Sequence, residues 1–145
     1  MILSHKIRIY PNKEQEVFLK KSCGVARFAY NWGLAEWQKQ YKNGEKPNYF
    51  KLKKQFNGVK RAIFPFTCEV SKCCTETAFA NLGKAYKNFF DKRAKYPKFK
   101  KKGIYDSFGL NNLNFHINGK HIKLAKMQPM KMAEELRFDG KIMSG

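Results

Sequence analysis

Polar and apolar positions alternate over the first ten residues. Leu3, Ile7 and Ile9 fall on one side and Lys6, Arg8 and Tyr10 on the other. That period of two predicts a half-buried strand over residues 2–10 with a basic outer face. Pro11 ends it. Asn12 and Gln15 then stand at capping-box spacing, so a helix is expected from Lys13. It should run to about Cys23, where Gly24 breaks or bends it. Val25, Phe28, Ala29 and Trp32 form one apolar stripe, and Tyr30, Leu34, Trp37 and Tyr41 a second. Two stripes predict a helix over 25–42 that is contacted on more than one side, its Trp residues in the core. Asn43-Gly44 stops it. A short third helix is expected from Pro47-Asn48 to Asn57-Gly58, with Tyr49, Leu52 and Phe56 facing inward. Phe64-Pro65-Phe66 reads as an apolar loop. Ser71 is placed to cap a long helix reaching about Arg93, with Ala78, Leu82, Ala85, Tyr86 and Phe89 on one face.

The pattern then changes. Seven of the eleven residues from Lys92 to Lys102 are basic and none is acidic. Pro97 and Gly103 argue against a helix there. Beyond it, 113–117 and 120–124 flank Asn118-Gly119, the strongest short-range hairpin cue. A two-residue Asn-Gly turn would set Phe115 against Ile122 and Leu113 against Leu124 on the buried face. On the polar, basic face it would set His116 against His121, beside Asn114 and Lys123. A second turn signal, Asp139-Gly140, lies between 136–138 and 141–143, and the chain stops before the second arm develops. That reads as a fragment or a truncated product with an unpaired strand edge. The expected class is α+β, a small antiparallel sheet or partial barrel with an inserted helical bundle. Its parts are the first strand at 1–11, the helices at 12–94, a basic linker at 95–106 and the β region at 107–145. The first strand is expected to return to the hairpin.

Charge narrows the possible partners. The chain has 145 residues, with 30 Lys and Arg against 11 Asp and Glu, a net charge of +19. Such an excess repels itself and attracts polyanions, of which nucleic acid is the usual one. Apolar content of 43% is enough for a core, which argues against wholesale disorder. No apolar run is long enough to span a bilayer and no signal-peptide core follows Met1, so no membrane partner and a cytoplasmic location are expected.

Candidate chemistry is sparse. The acids are scattered rather than converging, and no phosphate-binding or nucleophile motif occurs, so no catalytic residue and no cofactor is assigned. Cys23, Cys68, Cys73 and Cys74 lack metal-ligand spacing and read as reduced thiols. No metal site is assigned to the His116 and His121 pair, which has no further ligand and reads as a polar pair on a nucleic-acid-facing surface. The basic segment is the main binding candidate, with Lys92, Arg93, Lys95, Lys98, Lys100, Lys101 and Lys102 for phosphate contact. Tyr96 and Phe99 either stack on unpaired bases or anchor the segment to the bundle. Lys6, Arg8, Arg27, His116, His121 and Lys123 complete the set.

Several of these stretches resemble one family. KIRIYPNKEQE at 6–16 is similar to the opening of TnpB proteins, which insertion sequences encode. So are GVARFAYNWGL at 24–34, AYKNFF at 85–90, YPKFKKKG at 96–103, DSF at 106–108 and NGKHIKLAK at 118–126. The resemblance implies a wedge-like β domain interrupted by a helical recognition lobe, both gripping a guide RNA and target DNA. In that family an RNA-guided nuclease domain of RuvC type and a zinc ribbon follow, and nothing in 1–145 matches them. The implied role is a nucleic-acid-binding, non-cleaving N-terminal part. The alternatives are a helix-turn-helix protein that reads transposon ends through the helices around Gly24, and a non-cleaving RNA-guided regulator.

Overall fold

A computed structural model describes all residues, 1–145. In chain order the elements are β1 (Ile9–Tyr10), α1 (Lys13–Lys42), α2 (Tyr49–Ile63), a 3-10 turn (Pro65–Glu69), α3 (Cys73–Phe90), β2 (Phe115–Asn118), β3 (His121–Leu124) and β4 (Met130–Met132). The fold is α+β, with three helices inserted between the first and second strands of an antiparallel sheet.

The capping box at Asn12 forms as the spacing predicts. Asn12 Oδ1 accepts the Gln15 N–H at 2.8 Å and Gln15 Oε1 accepts the Asn12 N–H at 2.9 Å. The buried Gln15 amide also donates to the carbonyls of Gln128 and Pro129. The start of α1 is thereby tied to the turn that leads into β4.

Gly24 does not break the helix. α1 runs for 30 residues, and the expected turn at Gly24 is absent. Glycine inside a helix costs only about 1 kcal/mol, and burial of Ser22, Val25 and Ala26 on either side outweighs that. Gly58 is likewise passed over. α2 continues to Ile63 and stops before Pro65, whose ring and missing N–H forbid continuation. Tyr41, expected in a core stripe, is 72% exposed on the last turn of α1.

The helical core gathers Ala29, Leu34 and Trp37 from α1, Leu52 and Phe56 from α2, and Phe79, Leu82 and Tyr86 from α3. Trp37 stacks on Tyr86 with ring centroids 3.9 Å apart and planes 7° from parallel. Trp32 is only half-buried, edge-on to Phe56 at 5.3 Å and Phe79 at 6.1 Å. Gly33 lets the helices approach: a Cβ there would lie 2.8 Å from Leu82 Cδ2 and 2.9 Å from Phe79 Cε1. The N-cap position of α3 is Lys72, which makes no side-chain cap bond, and Ser71, the expected cap, lies one residue earlier with its Oγ accepting the Cys73 N–H at 3.3 Å. α3 ends at Phe90, three residues early. Lys92 takes φ +60°, with Lys92 N–H donating to Phe89 O and Arg93 N–H to Asn88 O. This is a Schellman ending with lysine where glycine is usual.

The sheet order is β1-β4-β3-β2. The first strand returns to β4, a strand the alternation at 130–132 does not announce, and not to the hairpin. Ile9 and Tyr10 stand opposite Met132 and Lys131, and the Arg8 carbonyl accepts the Ala133 N–H at 2.8 Å, so the strand is shorter than its pattern. Leu3 is exposed, although Lys6, Arg8 and Tyr10 do point outward. The hairpin register differs by two residues from the expectation. Gly119 takes φ +58° at the first central position and the turn is Gly119-Lys120, the II′ pattern. Phe115 therefore opposes Leu124, His116 opposes Lys123 and His121 opposes Asn118, and the two histidines are not partners. Leu113 falls outside the sheet, 79% exposed. The expected hairpin at Asp139-Gly140 does not form. The tail instead pairs with Leu110, through Leu110 N–H to Gly145 O at 2.7 Å and the reverse bond at 3.0 Å. The sheet is open at β1 and β2 rather than closed into a barrel. A second core lies on it, built from Cys73, Leu110, Phe115, Leu124, Met127 and Met130, and Phe18 of α1 packs against both cores.

All four cysteines are free, with Cys73 and Cys74 buried and Cys68 exposed. Burial first, with smaller contributions from the neighbouring thiols, raises the Cys74 thiol from 9.0 to about 11. Because the folded value lies above the ordinary one, the benefit of keeping this thiol neutral is complete below about pH 9 and disappears as pH rises towards 11. Stability should therefore fall across that window in the wild type, and less in Cys74→Ala, in urea melts at stepped pH. At Gly33, Ala should cost about 1–3 kcal/mol through overpacking against α3. At Gly24, Ala meets nothing closer than an Arg27 nitrogen at 3.6 Å and should raise stability by up to about 1 kcal/mol. Paired melting curves of the two variants check both signs.

Candidate nucleic-acid interface

The basic segment is not a loose tether. Where α3 ends, the chain folds back along the bundle and is fastened by contacts that leave most of its charge free. Tyr96 and Tyr86 share a hydrogen bond between hydroxyls at 2.8 Å. The Tyr96 ring also sits edge-on to Tyr86 at 5.6 Å and to Phe89 at 5.1 Å. Desolvation, then the Tyr96 hydroxyl, push the Tyr86 phenol well above its ordinary range, so it stays a neutral hydrogen-bonding group. Pro97 is buried. At Lys100 the backbone is held at two points by Asn31 of α1. Lys100 N–H donates to Asn31 Oδ1 at 2.8 Å and Asn31 Nδ2 donates to Lys100 O at 3.0 Å. The Lys100 ammonium lies 4.5 Å from the centroid of the Tyr30 ring, a cation–π contact that keeps the charge. Tyr30, buried in the core, has its phenol shifted upward by desolvation.

Farther on, Arg27 Nη1 pairs with Asp106 Oδ1 at 3.0 Å, and Asp106 Oδ2 accepts the Gly103 N–H. Arg27, expected as a free cation, is an internal ion pair. Its guanidinium orients the end of the segment. The same Asp106 charge, after burial, raises the Cys23 thiol.

The remaining cations of the segment form no ion pair. Lys92, Arg93, Lys95, Lys98, Lys101 and Lys102 are all exposed and unmatched by any carboxylate within 4.0 Å. Of the two aromatics, Tyr96 anchors to the bundle and Phe99 is 50% exposed. The outer face of the sheet adds more positive charge. Lys6 and Arg8 point out from the β1 side, Arg8 lying 5.9 Å from the Tyr10 ring, and His116, His121 and Lys123 are exposed on the hairpin. Ahead of β1, His5 Nε2–H donates to Glu134 Oε1 at 3.2 Å while its Nδ1 accepts the Arg137 N–H. The His5 hydrogen bond, with Arg137 adding to it, holds the Glu134 carboxyl below its ordinary value.

Two surface depressions escape a reading of the sequence, because each is assembled from distant segments. One is a groove of about 780 Å³ along α1, walled by Phe28, Trp32, Phe64 and Phe66 and flanked by Lys21, Arg27 and Asn31. The other, of about 360 Å³, carries Lys60, Arg61, Lys72 and Lys126 and no acid. Ser71 and Asn114 share a hydrogen bond at its edge. No three His, Cys, Asp or Glu side chains gather as a metal-binding group anywhere in the molecule. No helix is long and apolar enough to cross a membrane.

A helix-turn-helix domain model, HTH_OrfB_IS605, matches residues 1–46. The chain is 32% identical over 105 residues to the "Putative RNA-guided DNA endonuclease InsQ" of Escherichia coli (strain K12), a match that covers 71% of this chain and 26% of that protein. It is also 32% identical over 97 residues to a "Putative RNA-guided DNA endonuclease" of Streptomyces pristinaespiralis, covering 66% and 24%. At its N-terminus the chain thus carries the helix-turn-helix domain of the IS605 OrfB/TnpB family. The chain spans about a quarter of the length of the relatives it matches. Residues 1–46, the helix-turn-helix match, hold one strand and one unbroken helix. The recognition-helix geometry considered around Gly24 needs a turn that is not there.

Releasing the Asn31 clamp tests whether it orders the basic segment. Asn31→Ala should leave the bundle folded, lose about 1–2 kcal/mol at most for two partly exposed hydrogen bonds, and speed tryptic cleavage after Lys98–Lys102 several-fold. Unchanged cleavage in timed digests would show that Tyr96 and Pro97 suffice.

Proposed function

We propose that this chain binds nucleic acid, a guide RNA and its DNA target, as the non-cleaving N-terminal part of a TnpB-type RNA-guided DNA endonuclease. The observation that carries this reading is the ordered basic segment. Six exposed cations without carboxylate partners sit on a backbone fixed by Tyr96 and Asn31. Fixing the backbone lowers the ordering cost of binding while leaving the charges free for phosphate, and phosphate contact supplies most sequence-independent affinity. The net charge of +19 extends the attraction beyond the segment. The names carried by the two relatives supply the RNA-guided class. In such systems base pairing reads sequence while the protein holds backbone shape, a task suited to cations rather than to a recognition helix.

On this reading the helices over 12–94 form the recognition-like lobe, 95–106 the phosphate-gripping segment, and 1–11 with 107–145 the wedge-like sheet. On this reading no residue of the chain is assigned to bond cleavage, which would need several carboxylates converging on metal ions.

Replacing Lys98, Lys101 and Lys102 together with Ala should weaken binding to structured RNA without changing the melting curve. The slope of log affinity against log salt should fall by about 0.7 per lost single-strand contact, about 2 in all. A salt titration in which the variant keeps the wild-type slope would remove the segment from the interface.

A further inference from the structure

Beyond the phosphate contacts, and resting on the reading just given, we infer that the groove along α1 receives an unpaired nucleobase of a bound single strand. Its walls are aromatic. Phe28 meets Phe66 edge-on at 5.0 Å and Phe64 at 4.8 Å, and the half-buried Trp32 lines the same depression. Phe66 is 43% exposed, and Phe28 and Phe64 beside it are only part-buried. A hydrophobic face left open beside a core this aromatic offers a π surface to a planar ligand, and every base has one. Gly24 keeps the groove floor clear: a side chain starting there would meet only an Arg27 nitrogen, 3.6 Å from its Cβ.

Charge identifies the ligand class. Arg27 and Asn31, both at the groove, are two of the residues that fasten the basic segment, through Asp106 and the Lys100 backbone. The groove and the basic segment therefore share these two side chains. A polyanion on Lys98, Lys101 and Lys102 runs beside an aromatic slot. A neutral hydrophobic ligand would gain nothing from that juxtaposition, whereas a nucleotide strand uses both parts. The Arg27 guanidinium, half-buried and oriented by Asp106, is placed to stack on the base or to bind its phosphate. Glu69 at the far rim is engaged by Lys21 at 3.4 Å, which limits its repulsion of a strand.

The test uses the full chain carrying Trp37→Phe, so that Trp32 is the sole tryptophan, with a ten-nucleotide oligo-dT and an abasic decamer of the same length. Oligo-dT should quench Trp32 and bind about tenfold more tightly than the abasic strand, the gain expected of one or two stacked bases. Phe66→Ala, or Gly24→Leu as a groove-filling variant that leaves the aromatic core intact, should abolish that preference while keeping abasic binding. Replacing Lys98, Lys101 and Lys102 with Ala should weaken both strands alike. Circular dichroism melts of each variant verify folding. Equal affinity for the two strands, with no quenching, would overturn the base pocket and leave the phosphate interface standing. Failure of the wild type to bind either strand at low salt would overturn the interface and the pocket together.

Discussion

The close contact of α1 with α3 holds the molecule together. At Gly33 the absent side chain lets the Phe79 ring and Leu82 press against the α1 backbone, and a few positions on, Trp37 lies flat on Tyr86. Interiors this dense respond to a single methyl group. α1 also reaches past the bundle. Phe18 on its second turn packs on the sheet core as well as the helical one, and Gln15 binds the two carbonyls ahead of β4. Helices and sheet are thus joined by one rigid rod, and a change in the tilt of α1 would move both.

The basic surface depends on the same contact. The basic segment is fastened to residues that the packed helices hold in place: Asn31 and Tyr30 on α1, Tyr86 and Phe89 on α3. Those fastenings are amide, hydroxyl, ring and cation–π contacts. One carboxylate, Asp106, is used, on Arg27. The lysines consequently keep their charge and their exposure, with a mutual repulsion that a bound polyanion relieves.

The same fastening explains where the charged residues differ from a simple tally of basic positions. Arg27 looks like an unpaired surface cation in sequence and is paired with Asp106 in the fold. Tyr96, open between stacking and anchoring, anchors. His116 and His121 stand on one strand pair, but a glycine at the first turn position moves their register, so that they face Lys123 and Asn118. The groove along α1 draws on Phe28 and Trp32 from one helix and on Phe64 and Phe66 from a distant turn.

What the sequence by itself determined was local or statistical. The Asn12 cap, the inward stripes of Leu52 and Phe56 and of Leu82 and Tyr86, the existence of a hairpin at 118–120, the α+β class and the cationic character all follow from spacing and side-chain chemistry within a few residues. Tertiary structure decided what depends on partners far along the chain. Gly24 and Gly58 stay helical because burial on the helix face outweighs a loss of about 1 kcal/mol. β4 becomes a strand because β1 and β3 offer it hydrogen bonds on both sides. The tail pairs with Leu110 rather than with itself. Local propensities differ by amounts smaller than one well-packed side chain, so where they compete with packing, packing prevails.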